Sequence, residues 1–389
     1  MRIGNISEEE SKHALHNMDD PYSSDPQRHK VLEMHTEKPF NAEPPSSLLI
    51  ENFYTPKNHL PVPEVDPETY ELEIEIEGRT EIKTLRLEDL KKLPKHTIST
   101  TLMCAGNRRR EMNKVKEVKG LSWSLSAVGN ATWTGVRLVD VLKSVGIDDT
   151  TQGFHHVHFG GLDSDTANNP YTASIPFYKA LDKHGDVLLA YEMNGEPIPR
   201  DHGFPIRAIV PGTVGARNVK WLGRIFVAKD ECDSHWQQKD YKGVSPSADA
   251  STIDLSKLPS IQELPVISAI CKPANGESVV VKDGHITVKG YAWSGGGKKI
   301  IRVDVTVDGG KEWHVADFDH QENAEPPHHW SWTLWSARIP VAQGQKTVEI
   351  WAKAIDSSYN TQPDTIDNIW NFRGFLNNAY HRVKVNLKP

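Results

Sequence analysis

The sequence predicts an α+β protein of two domains, a mixed α/β domain followed by an immunoglobulin-like β-sandwich. The chain has 389 residues, whereas one hydrophobic core usually serves roughly 100–200 residues. A polar stretch rich in Ser and Pro, residues 246–264, divides it. Helical and strand patterns mix before this stretch, and only short alternating strands follow it. We therefore expect a polar tail or linker at 1–35, a first domain at 36–245, a linker at 246–264 and a second domain at 265–389.

The first domain contains both kinds of periodicity. Residues 70–76 alternate strictly between apolar and charged side chains, which predicts a half-buried strand, and residues 98–102 repeat the pattern. Leu138, Val139, Leu142 and Val145 recur at helical spacing and predict a short amphipathic helix within 136–146. A glycine, Gly146, is expected to end it. Asn194 and Gly195 lie between two apolar runs and predict a type I′ hairpin.

The second domain has the pattern of an all-β sandwich. Residues 301–307 place Ile and Val at every second position and end in the turn sequence Asp-Gly-Gly at 308–310. Residues 330–334 and 347–351 also alternate. The glycine run at 295–297 has no helical pattern after it, so we interpret it as a connection between strands and not as a nucleotide-binding loop.

Composition excludes several classes of protein. Lys and Arg total 45 against 52 Asp and Glu, a net charge of −7, and the basic residues are scattered, so a nucleic-acid partner is not expected. No apolar run approaches the about 20 residues of a membrane-spanning helix. Three widely spaced cysteines argue against a disulfide framework and a CxxC zinc site. Residues 1–30 lack the apolar core of a secretory signal and are too acidic for a typical transit peptide, so we expect no targeting signal in this chain.

Cys104 is the first candidate for chemistry. It follows an alternating run and precedes Ala-Gly-Asn and three arginines, Arg108, Arg109 and Arg110. Neighbouring positive charge favours the thiolate, which is the form that attacks electrophiles or binds metals. The alternative is a buried structural cysteine, which is the more common role for a cysteine taken without its context.

A second candidate is a basic, glycine-rich region at 200–221. His202, Arg207, Arg217 and Lys220 lie among glycines that let backbone N–H groups approach a ligand, which is how proteins hold phosphate. A solvated basic loop is the alternative interpretation. Spacing alone does not decide between the two.

Nine segments of the chain resemble, in order, the molybdenum-cofactor and dimerisation domains of the sulfite oxidase family. The resemblance runs from about residue 20 to the C-terminus and is closer to the animal enzymes than to the plant enzymes. The segments are FNAEPP (40–45), KNHLPVP (57–63), CAGNRRREM (104–112), VKGLSW (118–123), LLAYEMNGEPIPRDHGFPIR (188–207), PGTVGARNVKWLGR (211–224), HWQQKDYKG (235–243), KGYAWSGGG (289–297) and IWNFRG (369–374).

The resemblance implies a molybdenum–molybdopterin cofactor in residues 36–245, with Cys104 as the protein ligand of the metal. Thiolate ligation suits a soft metal centre. The implied cofactor-binding residues are Asn58, His59, Cys104, Asp163, His202, Arg207, Arg217, Asn218 and Lys220. The implied substrate-pocket residues are Lys57, Trp123, Tyr241 and Arg373.

The resemblance further implies a reaction and partners. Sulfite would be oxidised to sulfate by oxo transfer, and the electrons would leave singly to an external acceptor such as cytochrome c or a separate haem domain. A homodimer through residues 265–389 and a location in the mitochondrial intermembrane space are implied as well. No membrane or nucleic-acid partner is expected.

Three features depart from the family pattern. This chain shows no haem-binding cytochrome domain, so no haem is expected in it; the stretch 53–57 is a few residues short; and Lys57 stands where the family has a substrate-binding arginine. These departures leave two alternatives open. One is a nitrate reductase-type molybdenum enzyme, although Arg373 favours sulfite because the nitrate enzymes resemble this segment with a methionine there. The other is a paralogue with weakened or no turnover.

Overall fold

The computed structural model describes residues 58, 60, 62–165, 167–248 and 250–389. Nineteen β-strands and five short α-helices lie in these residues. In chain order the strands are β1 (Glu71–Ile76), β2 (Lys83–Arg86), β3 (Lys95–Met103), β4 (Val128–Arg137), β5 (His156–Ser164), β6 (Pro170–Pro176), β7 (Leu188–Met193), β8 (Glu196–Pro197), β9 (Arg207–Ile209), β10 (Leu222–Ala228), β11 (Ile267–Lys272), β12 (Ser278–Val280), β13 (His285–Trp293), β14 (Ile300–Thr306), β15 (His314–Val315), β16 (Asp317–His320), β17 (Thr333–Pro340), β18 (Thr347–Asp356) and β19 (His381–Lys388). The helices are α1 (Leu87–Lys91), α2 (Arg109–Met112), α3 (Leu138–Ser144), α4 (Phe177–Leu181) and α5 (His235–Gln238).

The first domain is built on two sheets. One has the order β2-β1-β10-β5-β6, with β1 and β10 parallel, and the other has the order β3-β4-β7-β8, with β9 also paired to β7. Tyr70, immediately before β1, and Leu72, Ile74 and Ile76 of β1 lie in a buried apolar cluster shared with α3 and β5. Sheets and short helices therefore enclose one main core, as the mixed periodicity predicts.

The structure confirms the helix, the hairpin and the strand that the sequence predicts in this domain. The helix predicted within 136–146 is α3, and Gly146 follows its C-cap with φ of +80°. Asn194 and Gly195 have φ of +52° and +86° between β7 and β8, which a type I′ turn requires. The predicted strand at 98–102 is the end of β3, which stops one residue before Cys104.

The second domain is a sandwich of two sheets, β11-β13-β17-β16 and β12-β19-β18-β14-β15. Buried Val, Ile, Ala and Trp side chains fill the space between them. The predicted α+β class, with a β-sandwich after the mixed domain, is confirmed. The predicted alternation at 301–307 differs from the structure at one residue. The register of β14 shifts between Ile300 and Arg302, and the side chain of Ile301 is therefore 41% exposed.

The two domains share a buried interface beside the end of β3. Met103, Val214, Tyr291 and Trp332 belong to one apolar cluster that both domains contribute to. The last part of the predicted linker packs against the first domain, since the Val214 N–H donates to the Gln262 carbonyl at 2.8 Å. No helix within the described part of the chain is long and apolar enough to cross a membrane.

Candidate active site

Cys104 lies at the first position of a tight loop between β3 and α2. Its N–H donates to the Ala127 carbonyl at 2.9 Å, and its Sγ accepts the N–H of Gly106 at 3.4 Å. The side chain is half-buried and takes part in no disulfide. The Cys104 thiol is thus fixed in position by the loop and partly accessible, whereas Cys232 and Cys271 are buried in the core.

The Arg109 side chain lies in close contact with three glycines from three separate segments of the chain. A Cβ atom added to Gly106, Gly120 or Gly374 would lie 2.5–2.6 Å from atoms of the Arg109 side chain. Gly120 and Gly374 also have φ of +126° and +61°, where L side chains are disfavoured. The side chain of Arg109 is buried and its Nη1 donates to the Leu121 carbonyl at 2.9 Å.

Arg109 and Arg373 face the same aromatic ring. Their guanidinium carbons lie 5.0 Å and 5.1 Å from the centroid of Phe375, and Tyr241 stacks on that ring at 5.4 Å. The buried Nε of each arginine makes no hydrogen bond within the described residues. Asp240 forms an ion pair with Arg373. The space around Phe375, called the pocket below, therefore holds two guanidinium groups, each with a buried donor that has no acceptor among the described residues.

Electrostatics couple these groups to Cys104. Burial lowers the pKa of Arg109, and the charge of a Cys104 thiolate acts in the opposite direction. Burial, with Cys104 as the next contribution, raises the pKa of Tyr241 well above its usual range, so its hydroxyl stays a hydrogen-bond donor. Tyr241 has φ of +43°, a strained conformation for a non-glycine residue that often marks a functional position.

Trp123 is buried at the edge of the same loop. Its carbonyl accepts the N–H of Arg110 at 2.9 Å, and its own N–H donates to the Leu121 carbonyl at 2.9 Å. The structure thus brings Trp123, Tyr241 and Arg373 into the surroundings of Cys104.

A second, basic cluster lies in the first domain. Lys220 Nζ donates to the Asp201 carbonyl at 2.8 Å and also to the Asn58 side chain. Arg207 Nη1 donates to the carbonyl of His202 at 2.7 Å. Burial, with the charge of Arg207 as the next cause, lowers the pKa of Lys220 to about 7. Such a cluster is stabilised by an anion.

Asp163 lies on β5 at the border of this cluster. Burial raises its pKa to about 7, and Lys220 acts in the opposite direction. Its Oδ1, and likewise the Nδ2 of Asn58, makes no hydrogen bond within the described residues although both atoms are buried. Buried polar atoms without partners are rare, and these two atoms are available to hydrogen-bond a bound ligand.

Arg217 and Asn218 make mainly structural contacts. Arg217 donates from Nε and Nη2 to the Ile261 carbonyl at 3.1 Å and 2.9 Å. Asn218 accepts the Val210 N–H at 2.7 Å and donates to the Val214 carbonyl at 3.2 Å. These contacts hold the loop at 210–218, which pairs with Met103 through Val214 and so lies next to Cys104.

The residues present fit a molybdopterin. The thiol of Cys104 can ligate a soft metal, the basic cluster can bind a phosphate, and the carboxylate of Asp163 can accept a pterin N–H group. The structural observation that supports this fit is that buried Asp163 and Asn58 atoms have no hydrogen-bond partner among the described residues. In the described part of the chain, no three His, Cys, Asp or Glu side chains are arranged to hold a metal ion without a cofactor.

Comparison with known proteins decides the family. Residues 59–236 match the family described as the oxidoreductase molybdopterin binding domain, and residues 258–388 match the Mo-co oxidoreductase dimerisation domain. The mitochondrial sulfite oxidase of Drosophila melanogaster is 57% identical over 99% of this chain and 68% of that protein. The chain belongs to the sulfite oxidase family. It is accordingly an oxidoreductase that binds a molybdopterin.

Two further relatives of this sulfite oxidase-family chain are more distant. A nitrate reductase of Phaseolus vulgaris is 38% identical, over 90% of this chain and 42% of that protein. The crystal structure of the sulfane dehydrogenase SoxCD from Paracoccus pantotrophus superimposes with a TM-score of 0.70, covers 92% of each chain and is 23% identical. This structural likeness concerns the fold.

The structure does not describe two predicted site residues of this family member, and it adds one candidate. Lys57 and His59 lie outside the described residues. Arg109 was not singled out as a pocket residue from the sequence, because it is one of three consecutive arginines. The signal that identifies it is the glycine in each of the segments CAGNRRREM, VKGLSW and IWNFRG, and only the folded chain brings these glycines together.

Proposed function

We propose that this chain oxidises sulfite to sulfate at a molybdenum–molybdopterin centre ligated by Cys104. The observation that carries the proposal is a pair of arginines beside the Cys104 loop, the buried Arg109 and the half-buried Arg373, each with a buried Nε–H that has no partner among the described residues. Sulfite is a small oxyanion, and planar guanidinium groups bind such oxygens with directed, charge-assisted hydrogen bonds.

The side chains orient the substrate and do not transfer electrons themselves. Sulfite and water yield sulfate, two protons and two electrons. When bound, the molybdenum centre supplies oxygen-atom transfer and accepts the electron pair. Arg109 and Arg373 hold the sulfite oxygens, the neutral hydroxyl of Tyr241 donates a further hydrogen bond, and Trp123 forms a wall that limits water.

The cofactor would be held by the second cluster. His202, Arg207 and Lys220 would bind its phosphate, and Asn58 and Asp163 would pair with its remaining polar groups. His59 is proposed from the sequence for the same role. Arg217 and Asn218 would act through the loop that they stabilise. An anion bound here would raise the pKa of Lys220 from about 7, because it favours the charged ammonium.

Lys57 is proposed as the third cationic residue of the substrate pocket. Lysine keeps the positive charge but lacks the planar fork of arginine, so it attracts an oxyanion without fixing two of its oxygens. We expect Lys57→Arg alone to lower KM for sulfite only in part, and restoration of the missing residues of 53–57 together with the arginine to lower it further. An unchanged KM in the restored variant would show that this stretch does not shape the pocket.

The partners follow from the same proposal. The second domain would form a homodimer, and the electrons would pass singly to cytochrome c or a separate haem domain. We place the protein in mitochondria, and within them in the intermembrane space. A nitrate reductase activity is disfavoured because Arg373 supplies a second guanidinium for an oxyanion of higher charge than nitrate.

Metal analysis and an activity assay test the proposal. The purified protein is expected to contain about one molybdenum per chain and to reduce ferricyanide when sulfite is added. Protein with molybdenum that reduces nitrate but does not oxidise sulfite would support the nitrate alternative. Protein with molybdenum and neither activity would identify a paralogue without turnover.

A further inference from the structure

Arg108, the neighbour of the pocket residue Arg109, extends into the sandwich domain. Its side chain is fully buried. Nη1 donates to the Ala379 and Ser268 carbonyls at 2.8 Å and 3.2 Å, and Nη2 reaches the Tyr380 carbonyl at 3.4 Å. All of these acceptors belong to the second domain. Arg108 follows Cys104 by four positions in the first domain, yet its side chain is hydrogen-bonded to the second domain.

Glu111 completes the surroundings of this guanidinium. Its two carboxylate oxygens accept from Nε and Nη2 of Arg108 at 2.7 Å and 2.6 Å, so that every N–H of the guanidinium has an acceptor. Burial favours the neutral acid, but the charge of Arg108 and its hydrogen bonds outweigh it and lower the pKa of Glu111. The pair is a bidentate, largely buried ion pair.

His381 fixes the other side of the carboxylate. Its Nδ1 accepts the N–H of Ile270 at 2.9 Å, so the ring proton lies on Nε2, which is 3.5 Å from Glu111 Oε1. Burial lowers the pKa of His381 to about 3. A neutral imidazole of defined tautomer therefore connects the sandwich to Glu111.

The loop between Cys104 and Arg109 is tied to the sandwich at further points. Asn107 Nδ2 donates to the hydroxyl of Tyr291 at 2.8 Å, and Asn377 Nδ2 donates to the Arg108 carbonyl at 3.0 Å. Arg108 itself has φ of +63°, which a non-glycine residue keeps only when its surroundings determine it. The conformation of this loop thus depends on contacts made by the second domain.

We infer that Arg108, Glu111 and His381 are positioning residues through which the sandwich domain places Arg109 and the Cys104 loop for the oxidation of sulfite. This inference rests on the proposed function. It assigns the second domain a role in the active site of its own chain beyond supplying Arg373 and Phe375. The three residues touch neither substrate nor cofactor and act through Arg109.

Glu111→Gln tests the inference. The amide keeps the shape of the carboxylate but turns one acceptor into a donor that faces the guanidinium, so Arg108 has to shift and Arg109 with it. A displaced Arg109 guanidinium holds sulfite less tightly in the ground state and in the transition state alike, which raises KM more than it lowers kcat. We expect KM for sulfite to rise about tenfold and kcat to change less, with molybdenum content unchanged. Amide hydrogen exchange of residues 104–112 should become faster.

Asp186→Asn is the matched control. Asp186 also joins the domains, accepting from His328 at 2.5 Å and Trp330 at 2.8 Å, and its side chain is 14% exposed against 17% for Glu111. None of its partners belongs to residues 104–112. We expect this variant to keep the KM of the wild type. An equal rise of KM in both variants would refute a specific role of the Arg108 network.

A milder variant covers the case in which Glu111→Gln does not fold. His381→Asn keeps an acceptor for the Ile270 N–H but removes the group next to Glu111, and we expect KM to rise about threefold, a shift of the order of one weak hydrogen bond. Wild-type KM and wild-type exchange at 104–112 in a less stable variant would reduce the network to a structural role. Hydrogen exchange requires no turnover, so it tests the network even if the protein does not oxidise sulfite.

Discussion

At the scale of single residues, the site depends on a few charged groups with little access to water. Arg109, Arg373, Lys220 and Asp163 are all at least half-buried. Each has a pKa shifted by burial or a buried polar atom with no hydrogen-bond partner in the described part of the chain. Burial makes each charge interact more strongly with a bound oxyanion or phosphate than it would in water. Single substitutions here should therefore have large and separable effects.

Cys104→Ser should abolish sulfite oxidation because the hydroxyl does not replace a thiolate as a ligand of a soft metal. The fold and the pterin should remain, since the phosphate cluster is untouched. Ferricyanide reduction and the pterin content of the denatured protein are the measurements. A serine variant with full activity would rule out Cys104 as a metal ligand.

Arg109→Gln should lower kcat/KM for sulfite by roughly 10- to 100-fold, the effect of losing a charged hydrogen-bond donor to an anion. Arg110→Gln is the control, since the neighbouring side chain is exposed. It should stay within about threefold of the wild type. Equal losses in the two variants would mean that only general positive charge matters.

Asp163→Asn should change the pH dependence of stability in the cofactor-free protein. The pKa of Asp163 is raised to about 7 in the folded state, above its ordinary value of 3.8, so the folded state binds the proton more tightly and its contribution to stability is lost as pH rises towards and through 7. The variant should exceed the wild type by roughly 1–3 kcal/mol at pH 8 and by less at pH 5. Urea unfolding at both pH values gives the comparison, and an equal difference at both would contradict the assignment.

At the scale of elements, turns and loops carry the site while the strands hold them in place. β3 delivers Cys104, α2 begins with Arg109, and the segment after Trp370 returns Arg373 and Phe375 to the same pocket. Glycines at close approach allow these loops to meet around one side chain. A methyl group at such a contact should disturb the pocket more than the fold.

Gly374→Ala tests the loop packing. The new Cβ would lie 2.5 Å from Arg109 Cγ, and φ is +61°. Gly344→Ala is the matched control, with φ of +79° and no atom within 4 Å of its Cβ. Both should lose about 1 kcal/mol of stability from backbone strain, measured by urea unfolding. Only Gly374→Ala should raise KM for sulfite, and an unchanged KM there would show that Arg109 adapts freely.

At the scale of the whole molecule, the second domain contributes no thiol or phosphate-binding residue to the predicted site. We expect it to form the dimer interface, so analytical ultracentrifugation of the intact chain should give twice the 43.6 kDa monomer mass. If the second domain both forms the dimer and binds the Arg108 side chain, formation of the dimer would be linked to the conformation of the active site. A monomer that persists at all concentrations would contradict the dimer.

The sequence by itself determined the α+β class, the order of the two domains, the strand that ends just before Cys104 and the hairpin at Asn194, because periodicity and turn residues act over short distances. Its segments also indicated the family. Only the tertiary structure decided which of three adjacent arginines enters the pocket and which enters the sandwich. Arg109 and Arg108 have the same local chemistry. Their roles differ because glycines from both domains surround Arg109, whereas carbonyl groups of the second domain accept hydrogen bonds from Arg108.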